Sequence, residues 1–310
     1  MPAKYGAQTE YGKLRKVLMH RPTEENRRVT PGNKDAYLFR DVIYWKSFQK
    51  EHDFYTDALR DEGIEVLMLT EHLDEHHAHI AETLPNMVYT RDNCLVTSLG
   101  ASALKMASAA RHVESVIMEK AMDNLKIPIA NRVEHPGQVE GGDFVWLDKQ
   151  TPMMGFITRS NESGVRAMRE TLLGKKAVKE FVAVPLPSFR VHLDGVLMTL
   201  SKDLALFHEA SLGLFPCYVY NEEGVKVTYL RQYLEEKGVE LIECNDTEVR
   251  MFGTNLLGIG DNKLVSYEWN ERLIEMLDDR GFDMISIPGS QLSIGGGGPH
   301  CMTCPILRED

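Results

Sequence analysis

Apolar positions along the chain follow two periodicities, which predict strands and helices in turn. Residues 14–20 alternate apolar and basic side chains, as in a strand, whereas residues 46–62 space apolar side chains three and four apart and are followed by Gly63, as in a helix. Similar patterns predict strands at 64–69, 93–99 and 285–288, and helices at 71–82, 113–125, 162–173, 226–236 and 270–279.

Three further segments predict β-hairpins, because short apolar runs flank turn-forming residues. They are residues 144–157 with a turn at 148–152, residues 196–207 with a turn near 201–203, and residues 255–267 with a turn at Asp261-Asn262. Strict alternation of strand and helix would indicate a doubly wound parallel sheet. Recurring hairpin-plus-helix units instead predict an α/β fold with mixed sheets repeated around a centre, and the length fits a single domain over residues 1–310.

Composition narrows the classes of partner and compartment. The chain has 310 residues, 43% of them hydrophobic, and a net charge of −11, which argues against a nucleic-acid partner. It contains no apolar run long enough for a membrane span, and residues 1–19 lack a signal-peptide pattern. Five cysteines, an odd number, then predict reduced thiols and a cytoplasmic location. Homo-oligomerisation is compatible with these features.

The end of the chain has the composition of a site. Four glycines, Gly295–Gly298, precede Pro299-His300-Cys301-Met302-Thr303-Cys304. Glycines let the backbone approach a ligand closely. A cysteine directly after them is expected to be exposed and reactive, so Cys301 is the candidate nucleophile.

Three other segments supply a histidine and carboxylates. Asp92 precedes a predicted strand, Glu140 and Asp143 flank two glycines, and His192 and Asp194 would project from the same face if their segment is extended. A thiol and a histidine can act as the nucleophile and the general acid or base of covalent catalysis. Several carboxylates around a thiol are more than a cysteine-protease site needs. They predict a binding site for a planar cation, because a guanidinium group forms two parallel hydrogen bonds to a carboxylate.

These motifs together resemble those of the guanidino-group-modifying enzymes, the pentein superfamily, and most closely those of arginine deiminases. The resemblance is carried by Thr90-Arg91-Asp92, Glu140-Gly141-Gly142-Asp143, His192-Leu193-Asp194 and the terminal His-Cys-Met-Thr-Cys-Pro, in the same order along the chain. The segments at 11–22, 30–34 and 49–53 are similar as well.

The resemblance implies a five-fold pseudo-symmetric α/β propeller with the active site in its central channel. It implies that Cys301 attacks the guanidinium carbon, that Asp92 and Asp194 bind the guanidinium nitrogens, and that His192, oriented by Glu140, acts as general acid and base. The substrate would be a small guanidino compound, with no cofactor and no metal. Because the surrounding carboxylates oppose ionisation, Cys301 is expected to be mainly a thiol until substrate binds.

Substrate identity is less closely specified. The resemblance places Arg111 and Arg159 as partners of a substrate carboxylate, with Asp143 as a further residue of the substrate site. Arginine deiminases also carry an arginine five residues before the cysteine, where this chain has Gly296. The chain lacks the helical insertion of many of those enzymes, and dimethylarginine hydrolases, arginine dihydrolases that form ornithine and amidinotransferases share the same catalytic set.

Two other motifs suggest metal or redox chemistry. Residues 72–76, His-Leu-Asp-Glu-His, fit an inverted zinc-protease pattern, but a solvated histidine-rich helix face is the favoured interpretation. Cys301 and Cys304 form a Cys-x-x-Cys pair without the second pair of a zinc site. A non-enzymatic zinc or redox protein is therefore the alternative of a different class.

Overall fold

The computed structural model describes residues 4–309 of the chain. The α-helices of this range are α1 (Trp45–Asp61), α2 (Glu75–Ala81), α3 (His112–Asn124), α4 (Glu162–Leu172), α5 (Glu209–Leu212), α6 (Leu230–Glu236), α7 (Asp246–Arg250), α8 (Glu271–Asp278) and α9 (Leu292–Gly295). The longest, α1, buries Phe48, Tyr55 and Leu59, whose spacing repeats with the helical period.

The strands are short and distributed over the whole described range. They are β1 (Lys13–Met19), β2 (Glu65–Met68), β3 (Cys94–Thr97), β4 (Gly100–Ala103), β5 (Ile129–Arg132), β6 (Phe144–Asp148), β7 (Thr151–Phe156), β8 (Phe181–Pro185), β9 (Leu197–Thr199), β10 (Leu204–Phe207), β11 (Cys217–Asn221), β12 (Gly224–Thr228), β13 (Glu240–Glu243), β14 (Leu257–Gly260), β15 (Lys263–Tyr267), β16 (Asp283–Ile287) and β17 (Cys304–Glu309).

These strands form five sheets in the described residues, and each sheet contains the same arrangement. The strand orders are β17-β1-β2, β3-β4-β5, β12-β11-β8-β7-β6, β13-β10-β9 and β14-β15-β16. In each, an antiparallel pair is joined by a third strand parallel to one of its members. The mixed α/β fold and its hairpin-plus-helix units are thereby confirmed.

The first sheet joins the two ends of the described chain. Its antiparallel pair consists of β17 and β1, with Val17 opposite Pro305 and Leu18 opposite Cys304. The amide of Gly6 adds a hydrogen bond to the carbonyl of Ile306 at 2.8 Å. The segment that carries Cys301 therefore enters a strand three residues later, at Cys304, and is fixed on that side by the sheet.

Two predicted helices are shorter than expected. The helix predicted at 226–236 begins only at Leu230, because residues 224–228 form the edge strand β12 and alternate side chains there. The helix predicted at 71–82 is divided into a 3-10 turn, Leu69–His72, and α2. Asp74 separates them, since its side chain accepts a hydrogen bond from the amide of His77 as an N-cap.

Several strands were not predicted from the sequence, among them β4, β5, β8, β11, β13 and β17. All are four to six residues long, which is too short for periodicity alone to distinguish a strand from a loop. Across residues 4–309, no helix has both the length and the apolar character needed to cross a bilayer.

Candidate active site

A single cavity of roughly 500 Å³ brings together six of the eight predicted site residues. Those that line it are Asp92, Arg111, Arg159, His192, Asp194 and Cys301. Glu140 and Asp143 do not line the cavity; both are fully buried, and each contacts the segment that carries His192.

The glycine stretch shapes the turn that presents Cys301. Gly296 ends α9 with φ of 103°, a left-handed conformation that glycine adopts without steric cost. Beyond it, the hydroxyl of Tyr267 donates to the carbonyl of Gly297 at 2.8 Å, and the amide of Cys301 donates to Oδ1 of Asn255 at 3.3 Å. These bonds fix the backbone on both sides of the turn, so the position of the thiol is set by buried partners.

Cys301 lines the cavity but is not exposed as the sequence suggested. Only 8% of it is accessible, because the turn is packed inside a hydrophobic cluster with Tyr89 and Met302. Its Sγ lies 3.7 Å from Oδ2 of Asp194. Burial, followed by the charges of Asp194 and Asp92, raises the pKa of the Cys301 thiol well above its ordinary value.

His192 sits between two carboxylates. Its Nε2 lies 2.9 Å from Oε2 of Glu140, and its Nδ1 lies 3.8 Å from Oδ1 of Asp92. Burial alone would lower the pKa of His192, but the charges of Asp92, Glu140 and Asp143 outweigh it and raise this pKa to about 9. The imidazolium form is therefore favoured near neutrality, and the ring can donate a proton.

Glu140 is buried among cations and donors. Its Oε2 lies 3.1 Å from Nη1 of Arg159, and its Oε1 accepts a hydrogen bond from the amide of Ala107 at 2.9 Å. Burial would raise the pKa of Glu140, but His192, Arg111 and Arg159 lower it below its ordinary value. Glu140 is thus held as a carboxylate that orients the imidazole ring.

Asp92 is held by Arg111 and by the glycine pair after Glu140. Nη1 of Arg111 lies 2.7 Å from its Oδ2, and the amide of Gly142 donates to its Oδ1 at 3.1 Å. A side chain at position 142 would clash, because its Cβ would lie 2.5 Å from Nδ1 of His192 and 3.0 Å from Oδ1 of Asp92. Close packing of these three segments therefore requires a glycine.

His192 and Asp194 reach the same cavity by a different route from the predicted one. His192 is extended, but residues Leu193–Gly195 form a 3-10 turn, so strand alternation does not apply. The turn instead sends Asp194 toward Cys301, while His192 contacts Glu140.

Asp194 has a second buried histidine beside it that the sequence analysis did not identify. Nδ1 of His300 lies 2.8 Å from Oδ2 of Asp194, and Nε2 lies 3.1 Å from Oε2 of Glu10. Burial opposes ionisation of both acids, yet His300 lowers the pKa of Asp194 and brings that of Glu10 to about 2. Only the adjacency of His300 to Cys301 could have indicated this contact, and Glu10 carries no motif.

Asp143 supports the site from outside the cavity, although it was predicted as a substrate-site residue. Its Oδ2 accepts a hydrogen bond from Ser160 at 2.6 Å, and its Oδ1 accepts one from the amide of Leu193 at 3.2 Å. Burial raises the pKa of Asp143 to about 7, with Glu140 and Asp194 acting in the same direction. These bonds tie Asp143 to the His192–Asp194 segment.

Arginines are more numerous at the cavity than the sequence indicated. Besides Arg111 and Arg159, the cavity is lined by Arg40, Arg190 and Arg250. Arg111 is fully buried and also pairs with Glu114 at 2.9 Å, so its charge is already compensated inside the protein. The burial of Glu114 beside Asp92 raises its own pKa to about 7.

Three of the site residues also have the spacing of metal ligands. One ligand atom from each of Asp92, Glu140 and His192 lies within 4.8 Å of the others, the only such group among residues 4–309. Arg111 and Arg159 lie against the same carboxylates, at 2.7 and 3.1 Å respectively. Two guanidinium groups thus supply the positive charge that a divalent ion would otherwise contribute.

The other metal and redox motifs do not come together in the described residues. His72 ends a 3-10 turn and His76 lies in α2, so the inverted zinc pattern is not carried by one helix. Cys304 lies in β17, where its thiol donates to the carbonyl of Cys94 at 3.8 Å, whereas Cys301 faces Asp194.

Known proteins resemble this chain over nearly its whole length. The family model described as arginine deiminase matches residues 35–83 and 72–308. Arginine deiminase of Listeria monocytogenes is 26% identical over 398 aligned positions, which cover 97% of this chain and 97% of the relative. Arginine deiminase of Mycoplasma capricolum is 26% identical, with 100% of this chain and 98% of the relative covered.

Solved structures share the fold at lower identity. One is a cysteine-to-serine mutant of DDAH from Pseudomonas aeruginosa complexed with citrulline, with a TM-score of 0.73, 19% identity, and 95% of this chain and 100% of that one covered. Another is the product-bound N-terminal domain of ArgZ, an arginine dihydrolase of cyanobacteria, with a TM-score of 0.72, 15% identity, and 96% and 97% covered.

Proposed function

The chain belongs to the arginine deiminase family, and from this we propose that it hydrolyses the guanidinium group of arginine to citrulline and ammonia. The observation that carries the proposal is the shared cavity of Cys301, His192, Asp92 and Asp194, with Glu140 bonded to His192. This set combines a nucleophile, a proton donor and two anions for a planar cation.

The two carboxylates bind the guanidinium group and bring its carbon to the thiol. Asp194 lies 3.7 Å from Sγ of Cys301, so a guanidinium group held by Asp194 places its carbon beside the sulfur. The bound cation also offsets the carboxylate charges that raise the pKa of Cys301. We infer that substrate binding thereby promotes ionisation of the thiol.

The chemical step proceeds through a covalent adduct. The thiolate forms a bond to the guanidinium carbon, and the C–N bond to a terminal nitrogen breaks as protonated His192 gives that nitrogen its proton. The products of this half-reaction are ammonia and a Cys301 thiouronium adduct. Neutral His192 then takes a proton from water, whose oxygen adds to the carbon, and the thiol leaves as citrulline forms. Glu140 orients the ring and stabilises its cationic form.

The buried polar residues around the cavity position this set. Asp143 binds the Leu193 amide and Ser160, and Arg111 holds Asp92 and Glu114. Arg159, which is the less buried of the two predicted clamps, pairs with Glu140 at the cavity wall. We assign Asp143 and Arg111 to positioning and Arg159 to the substrate side of the cavity.

The same proposal extends to the fold and the domain organisation. Five sheets with one common arrangement, the first of them completed by β17, support a five-fold pseudo-symmetric propeller built from one catalytic domain, residues 1–310. Residues 1–3 and 310 lie outside the described range.

Because Gly296 departs from the arginine deiminase pattern, the other reactions of the same superfamily have to be tested as well. The identity of the product separates them. The purified protein is incubated with arginine, methylated arginines and guanidinoacetate in the presence of a chelator and ¹⁸O-labelled water. We expect ammonia and citrulline carrying one labelled oxygen. Ornithine, an amidino-transfer product or turnover of methylated arginine alone would contradict the deiminase assignment.

The nucleophile is tested by replacing Cys301. Cys301→Ala should lower kcat by several orders of magnitude, because no other thiol lines the described cavity. Cys244→Ala is the matched control, since Cys244 is also buried but belongs to another cluster. Residual activity above about 1% of the parent would refute the role of Cys301. Elemental analysis tests the metal-binding alternative. Stoichiometric zinc in the purified protein, with no turnover of any guanidino compound, would favour it.

A further inference from the structure

The cavity wall around Gly296 lacks the cation that the family pattern places there. Gly296 has φ of 103°, and a Cβ at this position would lie 3.3 Å from the carbonyl oxygen of Leu38. An arginine would therefore be strained at position 296 of this backbone. If the substrate carries a carboxylate, its partner has to come from another segment.

Arg40 lies on the segment that faces this glycine. The amide of Arg40 donates to the carbonyl of Ile294 at 3.0 Å, which ties its backbone to the helix that ends at Gly296. Its guanidinium carbon lies 4.1 Å from the centre of the Phe252 ring, and its Nη1 donates to the carbonyl of Arg250 at 2.9 Å. Stacking and one hydrogen bond thus orient a side chain that lines the same cavity as Cys301.

The charges of the cavity arginines divide into two groups. Arg111, Arg159 and Arg190 pair with the carboxylates of Asp92, Glu140 and Asp246 at 2.7, 3.1 and 3.1 Å. Within residues 4–309, neither Arg40 nor Arg250 is within ion-pair distance of a carboxylate. Two neighbouring cations without a carboxylate partner in the described residues therefore line the same cavity as Asp92 and Asp194.

We propose that Arg40 binds the carboxylate of the substrate. It would thereby replace the arginine that arginine deiminases carry at the position of Gly296. The inference rests on the proposed function and specifies its substrate class: a guanidino compound with a carboxylate at the opposite end. One NH₂ group of Arg40 is engaged with Arg250, and the remaining donors form a fork that suits a carboxylate. Arg250 adds positive charge beside it.

The test compares L-arginine with agmatine, which has the guanidinium group but no carboxylate. Arg40→Gln should lower kcat/KM for arginine by about 10- to 100-fold, the range for a hydrogen bond between charged groups, and change that for agmatine by less than about twofold. Arg40→Lys keeps the positive charge but loses the forked pair of donors, so its kcat/KM for arginine should lie between those of the parent and Arg40→Gln. Arg27→Gln is the control, because Arg27 is exposed, pairs among residues 4–309 only with Glu24 in its own turn, and does not line the cavity.

Binding to a catalytically inactive variant separates this inference from the proposed function. Calorimetry on Cys301→Ser measures the Kd of arginine with and without Arg40→Gln. Turnover of arginine with an unchanged kcat/KM in Arg40→Gln, or equal losses for arginine and agmatine, would overturn the role of Arg40 alone. No turnover, but arginine binding that Arg40→Gln weakens about tenfold or more, would overturn the reaction and retain the carboxylate site. Failure of both turnover and binding would overturn both.

Discussion

At the scale of single residues, the site depends on how opposite charges are paired inside the protein. The three carboxylates around His192 raise its pKa to about 9, while the cations around Glu140 lower the pKa of that acid. Each charged form is thus stabilised by its neighbours despite burial. The exception is Cys301, whose pKa is raised by burial and by the charges of Asp194 and Asp92.

This pairing predicts the alkaline limb of the pH–activity profile. If His192 donates a proton to the leaving amine, as proposed, kcat/KM should fall as pH rises through about 9, where the imidazolium deprotonates. Glu140→Gln removes one of the charges that raise this pKa, and should move the limb toward lower pH by about one unit as well as lower kcat. The measurement is kcat/KM against pH for both proteins.

A second buried acid provides the control for this shift. Glu10 lies 3.1 Å from His300 rather than from His192. Glu10→Gln should therefore leave the midpoint of the limb in place, whatever it does to the rate. Equal midpoints in the parent and Glu140→Gln would contradict the assignment of the limb to His192.

At the scale of elements, the sequence predicted the segments with strong local signals. The hairpins at 144–157, 196–207 and 255–267 are present because turn residues fix their registers. Periodicity misplaced the start of α6, where Gly224–Thr228 pairs as a strand with β11. That pairing is a tertiary contact, and no local pattern reports it.

The candidate site shows the same division. Cys301, His192 and the acids were predicted because motifs mark them, whereas Glu10, Arg40 and Asn255 have no motif and reach the site through long-range packing. The 3-10 turn at Leu193–Gly195 likewise depends on a bond from the Leu193 amide to Asp143, 50 positions away. The sequence thus predicted Cys301, His192 and the acids that the structure brings together, with Glu140 beside His192, but not Glu10 or Asn255.

A substitution at Gly142 tests how closely the segments of Asp92, Glu140 and His192 are packed. Gly142→Ala introduces a Cβ 2.5 Å from His192 and 3.0 Å from Asp92, so both side chains must move. We expect kcat to fall by about 100-fold or more, because displacement of a catalytic group by 1 Å has that effect. Steady-state kinetics and Tm are measured together.

Gly195→Ala is the matched control for stability. Gly195 lies in the turn after His192, and a Cβ there has no heavy atom within 4 Å. Its Tm should equal that of the parent, while Gly142→Ala should unfold at lower temperature. A Gly142→Ala protein with the kcat of the parent would show that the three segments are not packed as closely as described.

At the scale of the whole molecule, β17 is part of the structure that holds the proposed nucleophile, Cys301. Cys301 lies between two anchors: the turn after α9, bonded to Tyr267 and Asn255, and β17, paired with β1. Because β1 also pairs with β2, the strand after Cys301 is linked through β1 to β2.

Removing β17 should therefore destabilise the protein as a whole. A chain that stops after Thr303 loses the ladder with β1, the bond from Nη1 of Arg308 to the carbonyl of Gly12 at 2.7 Å, and the buried side chains of Cys304 and Ile306. Burial of the Ile306 side chain alone contributes about 1.5–3 kcal/mol, and the loss of the strand pairing and of buried Cys304 adds to this. For a chain of this size we expect Tm to fall by about 10 °C or more, with loss of turnover.

The control is Glu309→Ala, which removes only an exposed ion pair with Arg15 and should change the free energy of unfolding by less than about 1 kcal/mol. A truncated protein with the Tm of the parent but no activity would mean that β17 positions Cys301 without supporting the fold, and one with full activity would contradict both roles.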